Sequence, residues 1–99
     1  MNGQDMVGDD VAAAATEIVE REMGPFGLRA VTVTAAEDHD GDPILLVEVE
    51  YRAGGKPIEP KVVAGLATKL RRRLWEMGEM RFPHVRHHFS ARQKVARYP

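Results

Sequence analysis

The sequence predicts an α+β domain, a two-layer α-β-β-α-β sandwich whose three-stranded sheet carries two helices on one face. Three observations predict it. Apolar residues recur at helical spacing over residues 9–24, alternate with β-branched residues over 28–53, and return to helical spacing after Pro60. Composition permits a core, with 43% hydrophobic and 29% charged residues, well away from the low-hydrophobicity regime of disorder. At 99 residues the chain suits a single domain spanning 1–99, with flexible ends expected at 1–8 and 92–99.

The first helix is "DDVAAAATEIVEREMG". Asp9 or Asp10 can cap it, the alanine run has the best intrinsic propensity, and Val11, Ala15, Ile18, Val19 and Glu22 follow i, i+3, i+4 spacing. Gly24 and Pro25 end it. "LRAVTVTAAE" then alternates as a strand, and "EDHDGDP" supplies turn residues. In the second strand, "ILLVEVEYRA", Leu45, Val47, Val49 and Tyr51 share one face, while Leu46, Glu48, Glu50 and Arg52 share the other. These two strands form a hairpin. After the break "GGKPIEP", Pro60 opens a helix through "KVVAGLATKLRRRLWEM" that ends near Gly78. Its apolar stripe is Val63, Leu66, Leu70, Leu74 and Met77. Gly65 costs about 1 kcal/mol relative to alanine inside a helix, which points to close packing or a local bend. "FPHVRHHFSARQKV" closes the fold as a strand, with Val85, His87, Phe89 and Ala91 toward the core and His84, Arg86, His88 and Ser90 away from it.

The net charge of -1 conceals an asymmetry. Residues 1–55 hold three basic against twelve acidic residues, a balance of -9, and residues 56–99 hold eleven against three, a balance of +8. A basic segment invites an anionic partner, unless the two halves neutralise each other on folding. The chain has no cysteine, which excludes disulfides and thiol chemistry. No apolar run approaches the roughly 20 residues of a membrane span, and the acidic start lacks the features of a leader, so a cytoplasmic protein without a membrane role is expected.

Few motifs carry chemistry. Asp38, Asp40 and Asp42 stand at alternate positions like calcium ligands, but the twelfth position from Asp38 is Val49 rather than glutamate, so a hairpin turn is the expected role. His84 and His88 fall on one strand face about 13 Å apart with Arg86 between them, a poor chelating geometry, and His87 points to the core. No nucleophile with an adjacent base and no phosphate-binding glycine spacing is present, so no catalytic residue, cofactor, metal or small-molecule substrate is expected.

The second helix is more informative. Lys61, Thr68, Arg71, Arg72 and Trp75 fall together opposite its apolar stripe. An aromatic ring flanked by guanidinium groups suits base stacking with phosphate contact, or a protein interface. In addition, "AVTVT" (30–34), "ILLVEVEY", "LATKLRRRL" (66–74) and "MRFPHVRHHF" (80–89) together resemble the ribosome-binding factor A family. That resemblance implies a KH-like domain that binds the small ribosomal subunit. The family's Ala-x-Gly helix kink is absent here, where Ala64 and Gly65 are adjacent and early in the helix.

The expected function is a non-enzymatic binding module that associates with RNA or the ribosome through its basic half. Its contact residues are Lys61, Arg71, Arg72, Trp75, Arg81, Arg86, His88, Arg92 and Lys94. The alternative is a protein–protein interaction or homodimerisation module, since three strands leave open edges. One feature separates the two: if Glu48 and Glu50 neighbour Arg86 and His88 across strands, the strand's cations are already neutralised. A histidine metal or pH-sensing site is a third reading.

Overall fold

The computed structural model describes residues 6–89. The ends expected to be flexible fall largely outside the described residues, and so do Ser90, Ala91, Arg92 and Lys94. The elements are α1 (Asp9–Met23), a 3-10 turn (Gly24–Phe26), β1 (Leu28–Glu37), β2 (Pro43–Tyr51), α2 (Pro60–Glu76) and β3 (Phe82–His88). The sheet has the order β1-β2-β3, antiparallel between β1 and β2 and parallel between β2 and β3. Both helices pack on one of its faces, giving the expected two-layer sandwich. No helix among the described residues is long and apolar enough to cross a membrane.

The alternation of β2 creates the layers. Leu45, Val47, Val49 and Tyr51 are buried on its helix side, where they meet Ala15, Ile18, Val19 and Met23 of α1 and Leu66, Leu70 and Leu74 of α2. Each fully buried leucine or valine contributes roughly 1.5–3 kcal/mol by leaving water. Val62, rather than Val63, joins the main cluster from the first turn of α2. Antiparallel packing of the helices follows from two contacts: Val11 in the first turn of α1 clusters with Leu74 near the end of α2, and Glu22 in the last turn of α1 bonds Lys69, earlier in α2, at 2.8 Å.

Several local details differ from the sequence reading. Gly8, not an aspartate, occupies the N-cap of α1, and the Asp10 carboxylate accepts the Val11 N–H instead. Val7, expected in the flexible start, packs against Val11, Leu45 and Leu74. Phe89 is 45% exposed, although its ring stacks on Tyr51 with centroids 4.9 Å apart.

Two glycines of α2 and its preceding loop have opposite roles. A Cβ on Gly55 would lie 2.5 Å from the Phe26 carbonyl oxygen, because this loop closes against the 3-10 turn, where Arg52 N–H also bonds Gly27 O at 2.8 Å. A Cβ on Gly65 would meet nothing within 4 Å, so close packing does not explain that glycine. Gly55→Ala is therefore expected to destabilise the fold by about 1–3 kcal/mol, whereas Gly65→Ala stabilises it by about 0.5–1 kcal/mol. Urea unfolding of the two variants, read as shifts of the midpoint in opposite directions, checks both.

Candidate functional site

The last two turns of α2 and the approach to β3 are built to hold apolar side chains in water. Helix α2 ends in a tight reversal, with Gly78 at φ 86° and Glu79 N–H bonded to Leu74 O at 2.9 Å. The following turn is locked by a bidentate pair in which Arg81 Nε and Nη2 each donate to a Glu79 carboxylate oxygen at 2.9 Å, and Arg81 N–H donates to the same group. Both side chains are mostly shielded from water, and Arg81's hydrogen bonds hold the Glu79 carboxyl below its usual range. Met80, between the two, projects outward from this turn. Met80 is 65% exposed, between Trp75 at 63% and Phe82 at 49%.

These three side chains surround a concavity of about 590 Å³, also lined by Thr68, Arg71, Arg72, Glu76, Glu79 and Arg81. The Arg71 guanidinium lies over the Phe82 ring, 5.5 Å from its centroid, an arrangement worth about 0.5–1 kcal/mol at an exposed site. Glu79 is taken by Arg81, and Glu76 lies 3.7 Å from Arg73. Arg71 and Arg72 have no acidic partner among the described residues. The result is an apolar hollow with a cationic rim.

The strand cations are arranged differently. Register places Glu48 opposite Arg86 and Glu50 opposite His88, on the sheet face without helices. Glu48 Oε1 lies 3.0 Å from His88 Nε2, and Glu50 lies 3.6 Å from Arg29. Here glutamates share the face with the basic side chains, although Arg86 itself is in no ion pair among the described residues. Of the contact residues expected from sequence, Arg71, Arg72 and Trp75 come together as read, and Arg81 joins them with its guanidinium committed to Glu79. Lys61 stands apart at the start of α2, 4.0 Å from Glu59. Arg86 and His88 lie on the other face, while Arg92 and Lys94 fall outside the described residues. Met80 and Phe82 were missed because both lie in a segment that reads as strand approach; the signal was two large apolar residues just past a helix-ending glycine.

The histidines and aspartates form no common centre among the described residues. His84 packs edge-on against Phe82, with centroids 5.5 Å apart. On the opposite face, His87 Nδ1 and the Tyr51 hydroxyl are hydrogen-bonded at 2.7 Å, with the rings stacked. His87 Nε2 is buried with no partner among the described residues. At the hairpin, Asp38, Asp40 and Asp42 bring carboxylate oxygens within 4.8 Å of one another. Asp38 Oδ1 accepts the N–H groups of Asp42 and Asp40 at 2.9 Å each, which hold its pKa down and stabilise the turn.

No family model matches this chain, and no curated protein matches it. A similar solved structure is an amide bond synthetase from Marinactinospora thermotolerans, 17% identical with a TM-score of 0.43. The likeness covers 87% of this chain and 18% of that one, so this chain spans less than a fifth of that protein's length.

Burial pushes the His87 pKa down, with the charge of neighbouring His88 adding to it, and burial raises the Tyr51 hydroxyl to about 12. An unfolded histidine takes up its proton near pH 6.5, above the folded value, so the unfolded state binds more protons as pH falls. The stability that neutral His87 contributes is thus complete above about pH 6.5 and declines from there toward the folded pKa. His87→Gln, which keeps a hydrogen-bonding partner for Tyr51, is expected to flatten the dependence in the window that opens below about pH 6.5. Urea midpoints measured across that window should differ in slope between wild type and variant; equal slopes would refute the assignment.

Proposed function

We propose that this chain is a non-enzymatic docking module that binds a protein partner through the hollow formed by α2 and the start of β3. The observation that carries this reading is the exposure of Trp75, Met80 and Phe82 around one concavity with Arg71 and Arg72 at its rim. Monomeric surfaces rarely keep three large apolar side chains together in water, whereas interface centres are enriched in tryptophan, arginine and methionine. The cationic rim favours an acidic partner.

Association with RNA or the ribosome, as the resemblance to ribosome-binding factor A implies, is the second reading, and Trp75 beside two arginines supports it. It draws less support from the strand, because Arg86 and His88 sit opposite Glu48 and Glu50. A phosphate-tracking surface gains affinity from cations that release counterions, and carboxylates on the same face lower its positive potential.

Selection from a displayed random-peptide library, run in parallel with salt-titrated RNA binding, tests the choice. Enriched sequences are expected to be acidic with bulky apolar anchors, and Trp75→Ala should weaken their binding at least about 10-fold. Because Trp75 is exposed, the same variant should change folding stability by no more than about 0.5 kcal/mol. Failure to enrich any peptide, together with RNA binding that steepens at low salt and is lost in Trp75→Ala, would overturn the protein-docking reading.

A further inference from the structure

We infer that the partner is a second copy of this chain, whose α1 lays its acidic outer face against the cationic outer face of α2 in a two-fold pair. The inference rests on the docking reading above and extends it from the hollow to the adjoining outer face of α2, which shares Arg71, Arg72 and Trp75 with it. It begins from the -9 and +8 halves of the sequence, which folding leaves largely unmatched. Among the described residues, Glu22 with Lys69 is the ion pair that joins the two halves, and Glu48 is hydrogen-bonded to His88 at 3.0 Å. Glu17 and Glu20 of α1 have no basic partner there, and Arg71 and Arg72 of α2 have no acidic one.

These four unmatched charges of α1 and α2 lie on one surface. Helices α1 and α2 run antiparallel, side by side, in the same layer. At 100° per residue, Glu17 and Glu20 fall opposite the buried stripe of α1, with exposed Ala13 beside them and Arg21 at the edge of the face, 3.4 Å from Glu22. Arg72 and Trp75 fall opposite the buried stripe of α2, with Arg71 on its β3 side. The outer surface of the helical layer is therefore acidic along one helix and cationic along its neighbour. A two-fold axis lying in the interface plane, parallel to the helices and midway between them, places each acidic helix over the cationic helix of the other copy. One surface thereby satisfies itself twice, as an isologous interface requires. Trp75 would supply the apolar anchor, and Ala13 would let the backbones approach.

Area sets the strength. Helices of 15 and 17 residues are about 22 and 25 Å long. Two such faces bury on the order of 1,000 Å² in total, at the low end for a specific complex. Charge complementarity across such a contact governs specificity and encounter more than affinity, and salt screens it. The pair should be weak and salt-sensitive.

Sedimentation equilibrium of the full chain tests this, at low ionic strength and again at about 0.5 M salt. Wild type is expected to show a monomer–dimer equilibrium that shifts toward monomer in salt. The double variants Glu17→Lys with Glu20→Lys and Arg71→Glu with Arg72→Glu should each be monomeric at low salt, since each opposes like charges. An equimolar mixture of the two should recover a heterodimer, because both contacts become complementary again. A wild type that stays monomeric at the highest concentration, or a dimer that both variants retain, would overturn the inference. The docking reading would remain separately decided by the peptide selection. Should either variant fail to fold by circular dichroism, the salt response of wild type and the self-association of Trp75→Ala carry the test. Dimerisation that is indifferent to both salt and Trp75→Ala would then refute it.

Discussion

Strand β2 has neighbours on both sides, and its alternation sets the demands that every other element meets. On one face, Leu45, Val47, Val49 and Tyr51 require apolar cover, which α1 and α2 provide by turning their stripes to the same side. On the other face, Glu48 and Glu50 remain near water and take basic partners, Arg29 from β1 and the His88 ring from β3. A slip of one residue in either pairing would reverse all of these contacts at once, so the two faces specify a single register. The parallel placement of β3 depends on the same demand, since Val85 and His87 continue the core face opposite Val47 and Val49.

The distribution of charge follows from that register. A chain with a basic C-terminal half could have presented a continuous cationic surface, but the sheet places part of that charge directly over carboxylates. On α2, Arg71 lies over the Phe82 ring, and neither it nor Arg72 has an acidic partner among the described residues. The Glu79–Arg81 pair adds a covalently short, hydrogen-bonded turn that fixes Met80 and Phe82 beside Trp75. Exposed apolar rings and unmatched guanidinium groups thus meet at one place, the end of α2, for reasons that lie in the strand register and the helix cap together.

The fold was legible because its signals are local. The period of two in "ILLVEVEY" and the stripe at Leu66, Leu70 and Leu74 each identify a face without any knowledge of its partner. The helix wheel likewise placed Arg71, Arg72 and Trp75 together. Contacts between distant segments were not legible in the same way. Whether Glu48 would meet Arg86 and His88 depended on strand order and register, which periodicity does not provide. Met80 and Phe82 joined the hollow only because the chain reverses at Gly78 and is held by Glu79 and Arg81. Gly65 misled in the other direction: its cost in a helix suggested a packing reason, and the space around it contains none.

Trp75 is the chain's one tryptophan, so its fluorescence reports on the proposed surface alone. Quenching by iodide and by caesium, at low ionic strength and over a range of protein concentrations, tests the central claim most directly. The account predicts that a dilute sample is quenched far more by the anion, because Arg71 and Arg72 attract it to an exposed ring, and that quenching falls as the protein is concentrated and the surface is covered. A tryptophan shielded from both ions in the dilute sample, or one quenched equally by both at every concentration, would contradict it.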